Sequence, residues 1–98
     1  MITRIVRLEF EPEKVENFLT MFNQNKSRIR HFPGVHQLEL HRDAEMSNVF
    51  YTLSVWEGEA ALESYRKSEL FQGVWQQTKA MFSGKPQAFS LIKEMKVE

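Results

Sequence analysis

A chain of 98 residues has room for one domain, near the low end of what a single hydrophobic core can hold together. Its 42% hydrophobic and 12% aromatic content excludes a disordered protein. Thirteen basic and thirteen acidic side chains cancel, so no net field draws the chain to nucleic acid or to anionic lipid. The absence of cysteine excludes disulfides, thiolate metal sites and cysteine nucleophiles, and it fits a reducing cytosol.

Met1 to Arg7 carries charges at Arg4 and Arg7 without an apolar run, which does not read as a signal peptide. Nowhere do about eighteen apolar residues run together, so no membrane span is expected and a cytoplasmic domain is the default. From Ile2 to Phe10 the apolar positions Ile2, Val6, Leu8 and Phe10 keep a period of two, broken by Arg4 and opposed by Arg7 and Glu9. That pattern predicts a half-buried strand. Glu11-Pro12-Glu13 then opens a helix, because proline suits a first turn and acids suit the positive end of the helix dipole. Val15, Phe18, Leu19, Phe22 and Ile29 carry the helical spacing to about Phe32, where Pro33-Gly34 stops it.

Val35 to Arg42 reads as a second strand and Val49 to Trp56 as a third, joined by the polar loop Asp43 to Asn48. Gly58 leads into a second helical region from about Glu59 to Ser83. Ser68 marks a kink or a fresh N-cap there, before Glu69-Leu70-Phe71. Gly84 and Pro86 close it, and Gln87 to Val97 reads as a fourth strand. The order β-α-β-β-α-β predicts a four-stranded antiparallel sheet with both helical regions on one face, the ferredoxin-like α+β arrangement.

Val6, Leu8, Leu38, Leu40, Tyr51, Leu53, Val55, Phe89 and Leu91 are assigned to the face that receives the helices. The other face then holds Ile5, Val35, Phe50, Trp56 and Ile92 among Thr3, Thr52, Ser54 and Ser90. Such a face left in water would be an interaction patch, so sheet-on-sheet homodimerisation is expected.

The Phe32-Pro33-Gly34 turn, the Val55-Trp56 strand end and the Lys67-Ser68-Glu69-Leu70-Phe71 segment, in this order, resemble the antibiotic biosynthesis monooxygenase family. The resemblance covers essentially the whole chain, as one domain over residues 1–98. It implies a dimeric α+β barrel with a ligand cavity between the sheet and the second helical region. It also implies oxidation of aromatic polyketides or quinols by dioxygen without metal, flavin or haem. In that chemistry an electron-rich phenolate or enolate supplies the electrons, and the protein desolvates and orients it. Many members of the family carry histidine where this chain has Tyr65 and Leu70. In a haem-degrading branch an asparagine, a tryptophan and the haem-ligating histidine fall on Val6, Tyr65 and Trp75. None is retained and indole cannot ligate iron, so haem degradation is disfavoured.

Tyr65 occupies a pocket position of the family and offers a hydroxyl to a substrate oxygen, making it the catalytic candidate; otherwise it is a helix aromatic with a wet tip. Phe71 and Trp75 lie four apart on one helix face, either as core or as a stacking wall for a flat ligand. Tyr51 or Leu53 is expected as the floor. His36 and His41 fall on opposite strand faces, which excludes a shared metal site, and Glu39 with His41 forms a further candidate acid–base pair. No glycine-rich phosphate loop is present. The expected activity is cofactor-independent monooxygenation of a small aromatic or quinol-like molecule. The alternatives are a non-catalytic small-molecule-binding dimer and an isomerase of small reactive carbonyl compounds.

Overall fold

Pro12 starts a single 3-10 turn, Pro12–Lys14, in which its fixed φ and missing N–H cost nothing. The chain then enters the first helix. In the computed structural model, which describes residues 1–98, the elements are β1 (Ile2–Glu9), α1 (Val15–Arg30), β2 (Val35–Arg42), β3 (Val49–Trp56), α2 (Glu59–Arg66), α3 (Glu69–Lys79) and β4 (Gln87–Leu91). The strands form one antiparallel sheet in the order β2-β3-β1-β4. This is the ferredoxin-like α+β fold. No helix is long and apolar enough to cross a membrane.

The second helical region divides where expected. Ser68 Oγ accepts from Phe71 N at 3.1 Å and donates to the Tyr65 carbonyl at 2.6 Å. One hydroxyl thus caps α3 and closes α2. The fourth strand is shorter than expected. Leu91 pairs with Thr3 at the start of β1, so Ile92 to Val97 run on with almost no partner strand left to hold them.

The faces of β3 and β4 are inverted relative to the sequence reading. Antiparallel partners share a face, and Arg4, Val6 and Leu8 pair with Ser54, Thr52 and Phe50. Phe50 and Trp56 are therefore core residues, 2% and 1% exposed. Tyr51, Leu53 and Val55 turn to the helix-free side with Ile5, Phe89 and Leu91. β3 misleads because its apolar residues occupy both faces, which leaves the period of two without a sign. Val35 also reaches the core, through a bulge in the pairing between Val35 and Gln37.

The core has two parts. Leu8, Phe10, Phe18, Met21 and Phe50 form one, and Ile29, Val35, Trp56, Leu62 and Tyr65 the other. Val74 of α3 packs against both. Gly34 sets the second part: its φ is +90°, and a Cβ there would lie 2.5 Å from Ala61 Cβ. The turn after α1 can approach α2 this closely only without a side chain.

Candidate functional site

Between the two halves of the core lies a cavity of ≈ 380 Å³, roofed by the helices and floored by the sheet. That volume suits a drug-sized molecule. β1 contributes Arg4, Val6 and Leu8, and β3 contributes Thr52, Ser54 and Trp56. Thr52 and Ser54 are the small middle members of β3's inward series. Their size leaves the space that larger side chains would fill. Leu62, Tyr65 and Arg66 come from α2, and Phe71, Val74, Trp75 and Thr78 from α3.

The aromatic side chains form a continuous wall. Tyr65 meets Trp56 at 4.9 Å between ring centroids and Phe71 edge-on at 5.1 Å. Phe71 and Trp75 are nearly parallel, 11° apart with centroids at 5.8 Å. Of the five residues expected at the site, the fold brings Tyr65, Phe71 and Trp75 together on this wall. Tyr51 and Leu53 do not reach it. They sit on the helix-free face, and the floor beneath the aromatics is Thr52, Ser54 and Trp56. The correction follows from the inverted register of β3.

Polar groups on the lining are few. Ser54 Oγ accepts from Trp56 Nε1 at 2.9 Å, and Thr78 Oγ1 donates to the Val74 carbonyl at 2.7 Å. Every fully buried side-chain polar atom has a partner. Tyr65 lines the cavity, and its hydroxyl forms no side-chain hydrogen bond within the protein. Burial pushes the Tyr65 phenol up to about 12, because a phenolate loses its hydration there. At neutral pH Tyr65 is therefore a hydrogen-bond donor and not a base. No His, Asp or Glu lines the cavity.

His41 Nε2 and Glu39 Oε1 are 2.7 Å apart, and that contact with His41 holds Glu39 below its ordinary value. The pair is exposed on the helix-free face, across the sheet from the cavity. His36 faces Glu57 at 3.5 Å at the sheet's end. No three His, Cys, Asp or Glu side chains converge as a metal site.

Residues 1–77, which include most of the cavity wall, match the sequence pattern described as antibiotic biosynthesis monooxygenase. The chain belongs to that family. Solved structures share its fold throughout. A conserved protein from Methanosarcina mazei Go1 superposes with a TM-score of 0.89 at 17% identity, covering 96% of this chain and 94% of that one. PA3566 from Pseudomonas aeruginosa gives 0.84 at 23% identity, over 96% and 94%. A variant of SnoaB, a cofactor-independent oxygenase from Streptomyces nogalater, gives 0.86 at 14% identity, over 98% and 95%. No curated protein matches in sequence. The cavity lining of this chain carries one tyrosine, Tyr65, and two arginines, Arg4 and Arg66. Arg4 was legible as the break in the strand's period.

Proposed function

We propose that this protein is a homodimeric, cofactor-independent monooxygenase acting on a small, flat aromatic or quinol-like molecule held in the cavity. Family membership supports the reaction class, and the wall of Tyr65, Phe71 and Trp75 supports the substrate shape. The observation that carries the reading is a neutral hydroxyl, Tyr65, set in an otherwise aromatic wall.

The substrate, deprotonated to its phenolate or enolate, gives one electron to dioxygen. The radical pair then joins carbon to oxygen as a peroxide anion, which takes a proton from solvent to become the hydroperoxide. Loss of water from a CH(OOH) centre leaves a carbonyl, so one oxygen atom enters the product and the other leaves as water. Tyr65 donates a hydrogen bond to the substrate oxyanion, stabilising it in a water-poor site. The lining supplies no base, so the first proton leaves a substrate acidic enough to release it to solvent.

That same lack of a base favours a second reading, a dimer that binds the molecule without turning it over. Oxygen uptake with hydroquinones and anthrone-like phenols separates the two. Turnover lost in Tyr65→Phe and Trp75→Ala, with the fold kept, supports the enzyme. Binding weakened by Trp75→Ala with no oxygen uptake supports the binding protein. Activity unchanged in both variants would overturn the placement of the site.

The helix-free face supports the dimer. Ile5, Tyr51, Leu53, Val55, Phe89 and Leu91 lie on it, with Phe89 51% exposed.

A further inference from the structure

Arg4 is the one inward position of β1 that is not apolar; its neighbours in the series are Ile2, Val6 and Leu8. It lines the cavity together with Arg66, in a wall that contains 13 hydrophobic residues and no carboxylate. The Arg4 guanidinium donates to Ser90 Oγ at 2.9 Å, and its remaining donors have no acidic partner. Arg66 is matched by Glu63 at 3.5 Å, both about half exposed. Burial, and then repulsion from Arg66, weaken Arg4's hold on its proton, while Glu63 opposes them. Two guanidiniums and one carboxylate leave a single positive charge uncompensated at the rim of an apolar hole. A half-buried charge is costly unless an opposite charge completes it.

We propose that the cavity selects a flat aromatic molecule bearing one anionic substituent, a carboxylate in the simplest case. The charge sits between Arg4 and Arg66 while the rings lie against Phe71 and Trp75. The excess of one charge matches a monoanion, and a phosphate dianion would be left half-neutralised. This assignment rests on reading the cavity as a ligand site, not on the oxygen chemistry.

The test compares 2-naphthoate with 2-naphthamide, near-isosteric bicyclic probes that differ in charge, by titration calorimetry on the full-length protein. At low ionic strength naphthoate should bind at least about tenfold more tightly than naphthamide. Added salt should erode naphthoate binding and leave naphthamide untouched. Arg4→Met, which keeps the stem volume, should remove most of the preference, and Arg66→Met part of it. Should Arg4→Met fail to fold, Arg66→Met and the salt series on the wild-type protein decide the matter. Equal affinity for the two probes, no detectable naphthoate binding, or a preference that survives Arg66→Met and high salt undiminished would overturn the assignment. A retained preference in a protein that never consumes oxygen would sink the oxygenase reading and leave this one standing. Turnover of neutral quinols without any preference for the anion would do the reverse.

Discussion

The indole N–H of Trp56 donates to the hydroxyl of Ser54, two residues back on the same face of β3, at 2.9 Å inside the cavity wall. Ser54→Ala would leave that buried donor unpaired and should cost about 1–3 kcal/mol in urea denaturation. Trp56→Phe removes the donor but opens space. The double variant should therefore cost less than the sum of the singles. Strict additivity would mean the bond contributes nothing.

Gly34→Ala should destabilise by at least about 1 kcal/mol, since both the positive φ and the contact with Ala61 oppose a methyl group. Adding Ala61→Gly relieves the contact but not the φ, and glycine inside α2 has its own cost of about 1 kcal/mol. The double variant should recover no stability beyond Gly34→Ala. A full rescue would place the constraint in the contact alone.

The Tyr65 phenol sets a pH dependence with a definite sign. Unfolded, it loses its proton near 10.0; folded, near about 12. Below 10 both states hold the proton and nothing is lost. Between those values the unfolded state binds fewer protons, so stability falls as pH rises. A shift of this size corresponds to a loss of about 2–3 kcal/mol by pH 12. Lysines titrate in the same window, so the measurement is the difference between wild type and Tyr65→Phe in denaturation midpoints at neutral and alkaline pH. The variant should decline less steeply. Parallel declines would show that the hydroxyl is solvated.

Light scattering should give about twice 11.6 kDa if the helix-free face pairs with its copy. The variant for this test is Leu53→Glu, which places a charge at the centre of that face and should yield a folded monomer. Phe50→Glu, by contrast, puts its charge among Leu8, Phe10 and Phe18 and should abolish folding in either oligomeric state. A wild-type monomer at micromolar concentration would leave the apolar face without its proposed partner.

The limits of β2 and β3, the break at Ser68 and the order of elements were legible because each carries a local signal: Pro-Gly, a polar loop, a capping hydroxyl. The faces of β3 were not. An inward series of Phe50, Thr52, Ser54 and Trp56 looks less apolar than the outward series of Tyr51, Leu53 and Val55. The hole above the sheet spares its floor from being greasy, and the outer face carries apolar side chains that a free sheet would not need. Pairing with β1 sets that register, and pairing is a long-range fact. The same inversion misplaced Tyr51 and Leu53. Tyr65 of α2 and Phe71 and Trp75 of α3 line the cavity from the helical side, so the inversion of the sheet faces does not move them.

The divided core has a thermodynamic consequence. Two apolar clusters share Val74 and touch again through the Phe71–Trp75 pair, with empty volume between them elsewhere. An occupant touching both Phe18 and Trp56 would act as an interior member of the protein, adding the contacts that the chain itself omits. Melting temperature should climb with occupant concentration. Amides of α2 and α3, the span that closes over the gap, should exchange with deuterium faster in the empty protein than in the filled one.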